Sequence, residues 1–300
     1  MMDSEQVKNT LIATREARSP NNPLKENTLN NNTKMIMKLQ GQMGDPNWLY
    51  DINQIETVID KYSTSTKKNY LSLVLQMVHS SDDEEYKKLL ISKIQFHSQV
   101  KINNEKNNIL SAKKQEQKGM TMSDIDKVVS LTDPREAVIL QILQVFPIRA
   151  EVGTLKLITK YRYDKIKGTL PKENYIVRNG KSLMLSRNNY KTADIYGRKE
   201  HRITGKLKDI ILEYIDTIDG DNLFGYTEQE LSKRLGYITN KILGVPLSVN
   251  AIAKITIEHG LKQIKDKDEM VRVNKIKKYL EKVGEIRGTS VQVLFDNYIN

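Results

Sequence analysis

Residues 173–186 read ENYIVRNGKSLMLS, with apolar and polar positions alternating on both sides of Asn179-Gly180. An Asn-Gly pair between two alternating runs is the strongest short-range hairpin signal, because the favoured two-residue turn needs positive φ at both central positions. GRKEHRI (197–203) supplies a plausible third strand, so the stretch predicts a small three-stranded antiparallel sheet. Around it the text is helical. TDPREAVILQILQVF (132–146) offers Asp133 as N-cap, Pro134 at the first helical position and Glu136 in the first turn. TMSDIDKVVSL (121–131) precedes it with a Thr or Ser cap. Helical periodicity resumes at KLKDIILEYIDTI (206–218) and runs through 228–243, 248–264 and 268–286. The region 120–300 therefore reads as a helical domain carrying a small sheet.

Upstream the texture changes twice. NWLYDINQIETVIDKY (47–62), STSTKKNYLSLVLQMVHS (63–80) and DDEEYKKLLISKIQFHSQV (82–100) place apolar residues at helical spacing. They predict a small all-helical domain over 46–100. Residues 103–119 (NNEKNNILSAKKQEQKG) are charged and Asn-rich, and 101–119 reads as the interdomain connection. Residues 1–45 are polar and Asn-rich with little apolar periodicity, and read as a mobile arm with at most one short helix.

Composition bounds the chemistry. The 300 residues carry 48 Lys and Arg against 37 Asp and Glu, a net charge of +11 that favours a polyanionic partner, nucleic acid first. Without cysteine there are no disulfides and no thiolate metal sites. The four histidines show no metal-ligand spacing, so no protein-held metal is expected. No apolar run reaches the roughly 18 residues of a membrane span, and no signal-peptide core opens the chain, so the expectation is a soluble, intracellular protein.

Several basic residues stand at pointed places. Arg149 in FPIRAEVGTLKL (146–157) follows a proline that stops a long apolar helix, and by default would pair with Glu151. Lys191 in NNYKTADIYG (188–197) lies between two strands, and Lys67 and Lys68 open a helix of the first domain. The chain ends RGTSVQVLFDNYIN (287–300), with Gly288 and Tyr298 ten residues apart. Taken in order, these pieces resemble the tyrosine recombinase (phage integrase) family, and PIRAEVGTLK and NNYKTADIYG are most similar to its divergent viral and mobile-element members.

The resemblance spans roughly residues 46–300. It implies a mainly α protein: a helical, SAM-like core-binding domain that clamps DNA, then an α+β catalytic domain. It implies Arg149 as the first catalytic arginine, Lys191 as the β-hairpin lysine and Tyr298 as the nucleophile. His259, in IAKITIEHGL (252–261), fixes the register of the intervening box. In that register the family's H-x-x-R falls on Asn250 and Ala253, with Lys254 the nearest cation, and the last box's His or Trp is Thr289. Lys67, Lys68 and His259 are the expected DNA contacts.

The implied activity is site-specific cleavage and rejoining of double-stranded DNA through a 3′-phosphotyrosyl bond, with self-association on DNA, at the compartment of the target DNA. Forked guanidinium groups match the charge that builds on non-bridging phosphate oxygens. A nearby lysine can protonate the leaving 5′-oxygen, and the phosphotyrosyl bond conserves the energy for religation, so no nucleotide cofactor is needed. Ala253 and Thr289 keep open a DNA-binding protein with weakened or lost catalysis. A type IB topoisomerase-like or telomere-resolvase task is a third reading.

Overall fold

In the computed structural model, residues 1–107, 115–169, 172–266 and 268–298 are described. The chain divides into two compact units, Met1–Ser111 and Ala112–Asn300. Of the expected connection over 101–119, residues 108–114 lie outside the described residues.

The first unit begins earlier than the sequence suggests. Helices α1 (Ser4–Arg18) and α2 (Glu26–Gln40) occupy the stretch expected to be a mobile arm. Asp3 and Gln6 close a capping box on α1. Val7 and Leu11 from α1, and Ile36 and Leu39 from α2, join Trp48, Ile55, Leu71, Val74 and Leu90 in one core. Two contacts fix the arm from its polar side. Thr14 Oγ1 donates to the Gln76 carbonyl at 3.0 Å, and the Gln40 amide bonds both Met2 N (3.1 Å) and Met2 O (2.8 Å). The expectation failed because each helix buries only a thin stripe, spaced three or four residues apart, within Asn-rich text of low mean hydropathy. Helices α3 (Ile52–Ile59), α4 (Thr64–Met77) and α5 (Glu84–Lys106) complete the unit, with Ser63 as the N-cap of α4.

The second unit opens with α6 (Met122–Leu131) and α7 (Pro134–Val145), which has Asp133 at its N-cap and Pro134 in its first turn. Its sheet has four strands rather than the three expected: β1 (Lys156–Thr159), β2 (Tyr175–Asn179), β3 (Ser182–Arg187) and β4 (Lys199–Ile203), in the order β1-β2-β3-β4. The hairpin β2–β3 pairs Asn179 with Ser182 around Gly180 (φ +56), and β4 adds antiparallel to β3. The extra strand β1 runs parallel to β2, reached through the short helix α8 (Lys160–Ile166). Parallel pairing requires such a crossover, and four residues carry too little alternation to mark a strand.

The link from β3 to β4 holds α9 (Ala193–Tyr196), and α10 (Gly205–Ile215) follows the sheet. Then come α11 (Glu228–Leu243), α12 (Val249–Gln263), α13 (Glu269–Arg287) and α14 (Val291–Tyr298). Ile139, Ile142 and Leu143 of α7 are buried with Ile176, Leu185, Ile211, Leu235 and Ile252 in the main core. A smaller cluster joins Ile257, Leu280, Val283 and Leu294, and it seats the last helix.

Trp48 is the single tryptophan and is buried in the first unit's core, so its fluorescence reports that unit alone. Leu11 is 0% exposed; Leu11→Ala is expected to cost the first unit about 2–5 kcal/mol, read as a lower urea midpoint by Trp48 fluorescence. An unchanged midpoint would restore the mobile-arm description.

Candidate active site

Three arginines of the second unit meet at the C-terminal end of α13. Pro147 follows Phe146 at the end of α7, and Arg149 is the N-cap of a 3-10 turn, Ala150–Thr154. Helix α13 ends at Arg287, with Gly288 in the left-handed conformation as its C-cap. A helix leaves its last carbonyls without intrahelical donors and gathers partial negative charge there. Here three consecutive carbonyls are each given a donor from elsewhere. Ile286 O accepts from Arg187 Nη1, Arg287 O from Arg149 Nη1 at 3.0 Å, and Gly288 O from Thr192 Oγ1. Glycine is required at 288 for a second reason: a Cβ there would lie 2.3 Å from Tyr190 Cε2.

The three guanidinium groups differ in their surroundings. Arg187, at the end of β3, is 0% exposed. Its Nη2 donates to Glu151, its charge centre lies 4.4 Å from the Tyr190 ring centroid, and its Nε has no partner among the described residues. Burial disfavours its charge, and Glu151 opposes that. Glu151 is 3% exposed, so this is a desolvated pair, and it replaces the Arg149–Glu151 bridge expected from sequence. Arg149 and Arg287 are half-buried and ion-pair with no carboxylate among the described residues. Arg287 instead donates through Nη1 to Pro147 O at 2.7 Å and through Nη2 to Asn250 Oδ1 at 3.3 Å. Glu228, at the start of α11, is the acid close enough to feel both Arg149 and Glu151.

Helix α14 brings Tyr298 to the same corner. Its ring packs against the cluster of Ile257, Leu280, Val283 and Leu294. Burial pushes its phenol up, while Arg287 draws it down and Glu258 pushes it up. The same pair acts in reverse, Tyr298 favouring the charged form of Arg287 against its burial.

The other residues singled out by sequence are placed as follows. Lys191 is exposed, with no partner among the described residues, yet both neighbours are anchored at the site: Tyr190 under Arg187, Thr192 on Gly288 O. The exit from β3 is itself pinned, since Asn174 Oδ1 accepts from the backbone N–H groups of Asn188 (2.8 Å) and Asn189 (2.9 Å). Asn250 is exposed on α12 and orients Arg287. Ala253 is 0% exposed, inside the core. Lys254 is turned outward, 3.4 Å from Glu258. His259 is exposed, and Thr289 is half-buried with its N–H on Gly284 O at 3.0 Å. In the first unit Lys67 is bonded to Asp60 at 2.6 Å, and Lys68 is half-buried.

Sequence reading did not single out Arg187, Thr192, Tyr190 or Arg287 for the site. Arg287 stands directly before Gly288, and a basic residue in the last turn of a helix was the available signal. Among the described residues, no group of three or more His, Asp or Glu could hold a metal ion, and no helix is long and apolar enough to cross a membrane.

No protein-family model matches the chain, and no curated protein matches it. Among solved structures it is similar to the crystal structure of XerA recombinase, with a TM-score of 0.38 and 11% identity, over 98% of this chain and 93% of that one. A likeness at that level decides nothing about the site, which stands on its own geometry.

Removing one partner of the buried Glu151–Arg187 pair leaves an uncompensated charge. Glu151→Ala is expected to destabilise the second unit by about 3–5 kcal/mol, seen by circular dichroism as earlier loss of helix in urea. A second expectation concerns pH. Tyr163, Tyr190 and Tyr298 are all raised above 10.0, chiefly by burial, and Tyr175 is pushed up to about 12. The folded state therefore favours the neutral phenols. Their contribution is intact below the unfolded value of 10.0 and is lost as pH rises through the folded values. Alkaline titration followed by tyrosinate absorbance should show a late group that ionises together with unfolding.

Proposed function

We propose that the chain is a DNA strand transferase of the tyrosine recombinase type, of the kind carried by viruses and mobile elements. The observation that carries the reading is the convergence at the end of α13. Arg149 and Arg287 offer guanidinium N–H groups without carboxylate partners, Tyr298 lies within the field of Arg287, and Lys191 is held between two anchored residues.

The chemistry then follows from the side chains. Tyr298 Oη attacks a backbone phosphorus in line. The Oη–P bond forms, the P–O5′ bond breaks, and the phenol proton leaves to solvent. Arg149 holds the non-bridging oxygens as their negative charge grows. Lys191 Nζ gives a proton to the departing 5′-oxygen. Reversal by another 5′-hydroxyl rejoins the strand and frees Tyr298, with no net change in phosphodiester bonds. Burial pushes the phenol up from its ordinary value, and the positive field of Arg287 opposes this in favour of the attacking phenolate. Lys67 and Lys68 of the first unit, and His259 of α12, contribute phosphate contacts, and copies of the chain associate on DNA.

One observation favours a second reading, a DNA-binding protein of reduced catalysis: the position aligned with the second catalytic arginine is Ala253, enclosed in the core, and Thr289 brings no imidazole. A pool of nicked suicide duplexes separates the two. Strand transfer predicts a covalent protein–DNA adduct whose modified peptide contains Tyr298. Tyr298→Phe should abolish the adduct and keep DNA binding, and Arg149→Ala should lower adduct formation by about 10²–10³. Binding without adduct supports the second reading. Affinity that does not fall with salt would exclude DNA from both.

A further inference from the structure

We propose that Arg287, reaching from the C-terminal end of α13, is the second phosphate-binding guanidinium of this site, in place of the side chain missing at Ala253. The inference rests on the strand-transfer reading for the reaction, while the anion site it describes is tested separately below.

Four observations converge on it. Ala253 is 0% exposed, so the position that resemblance assigns to an arginine faces the core. Lys254, the nearest cation in sequence, is outward and 3.4 Å from Glu258. Arg287, in contrast, is fixed at two points, Pro147 O at 2.7 Å and Asn250 Oδ1 at 3.3 Å. Its backbone carbonyl accepts from Arg149 Nη1 at 3.0 Å, so the two arginines are held beside one another.

The arrangement gathers more positive charge than its neighbouring carboxylates pair, and an anion would offset it. Arg149 and Arg287 are half-buried, Arg187 is fully buried, and both Arg149 and Arg187 act electrostatically on Arg287. Glu151 is committed to Arg187, and among the described residues no carboxylate pairs with Arg149 or Arg287. Burial and the other two arginines work against the charge on Arg287, with Tyr298 and Glu151 opposing them in part. Each guanidinium has five N–H donors. Arg149 uses one and Arg287 two, which leaves donors on both for a tetrahedral oxyanion. Arg287 is also the cation that acts on the Tyr298 phenol, as a group flanking the attacked phosphorus must. Asn250 becomes a positioning residue that fixes the guanidinium plane.

Two measurements test this. On a nicked duplex, Arg287→Ala should reduce Tyr298 adduct formation by about 10²–10³, and Arg287→Lys should recover only a small part because an ammonium cannot fork. With a methylphosphonate at the scissile position one non-bridging charge is gone, and the Arg287→Ala deficit should shrink to less than about tenfold, the need for the lost donor having fallen. A full rate for Arg287→Ala, or an equal deficit on both substrates, would overturn the assignment.

The second measurement needs no catalysis. Inorganic phosphate, against chloride at equal ionic strength, should raise the melting temperature of the wild type, of Tyr298→Phe and of Arg162→Ala, an exposed control on α8. The rise should vanish in Arg287→Ala and in Arg149→Ala, with Arg287→Lys showing whether the fold tolerates change at 287. If the wild type forms no adduct, the strand-transfer reading fails, and the phosphate result alone decides the anion site. A phosphate shift that survives Arg287→Ala, or its absence in the wild type, would sink it.

Discussion

The end of helix α13 is the joint on which the second unit's geometry depends. Its last carbonyls need donors, and they receive Arg187 from the sheet, Arg149 from the turn after α7, and Thr192 from the β3–β4 link. Three elements far apart in sequence are thereby held to one point, with charge-assisted hydrogen bonds at two of the three contacts. The left-handed Gly288 makes the arrangement possible, since a side chain there would strike Tyr190. The same turn sends the chain into α14 and places Tyr298.

Within this joint the arginines differ in how far the protein itself uses their charge. Arg187 has no exposure, is paired with Glu151 and lies over Tyr190, so its charge is consumed by the protein itself. Such a pair contributes little net stability over an apolar replacement but is damaging to break. Its role is to hold the strand end against α13. Arg149 and Arg287 use part of their donors on backbone carbonyls, which orients them, and keep the remainder. A group fixed by neutral carbonyls retains its full charge for a ligand, whereas a carboxylate partner would neutralise it.

Much of the fold was legible because its signals are local. Asp133-Pro134 opens α7, and the Asn179-Gly180 signal marks the β2–β3 hairpin, whose turn is Gly180-Lys181, one residue on from the pair itself. Strand β1 was not legible, because a four-residue parallel partner is defined by what it pairs with. Helices α1 and α2 were missed for a related reason. Val7, Leu11, Ile36 and Leu39 are sparse in polar text, and their burial depends on a core built mostly from residues after Trp48. The candidate site divides in the same way. Arg149, Lys191 and Tyr298 were singled out only through a family resemblance, whereas Arg187 pairing with Glu151 and Arg287 bonding Pro147 and Asn250 join positions 36 to 140 residues apart.

The departure at Ala253 looks different once the helix end is considered. A guanidinium at a phosphate site need not come from one backbone position; it must arrive with the right orientation and without a neutralising partner. Helix α12 offers Asn250 on its exposed side and encloses Ala253, so it can orient a guanidinium but not supply one. Helix α13 supplies one from its last residue, where the helix dipole favours positive charge and the adjacent carbonyl already engages Arg149. In the proposed site, one helix would orient the guanidinium and the next would supply it. On that proposal Ala253 needs no arginine, because the guanidinium reaches the corner of Arg149 from the neighbouring helix.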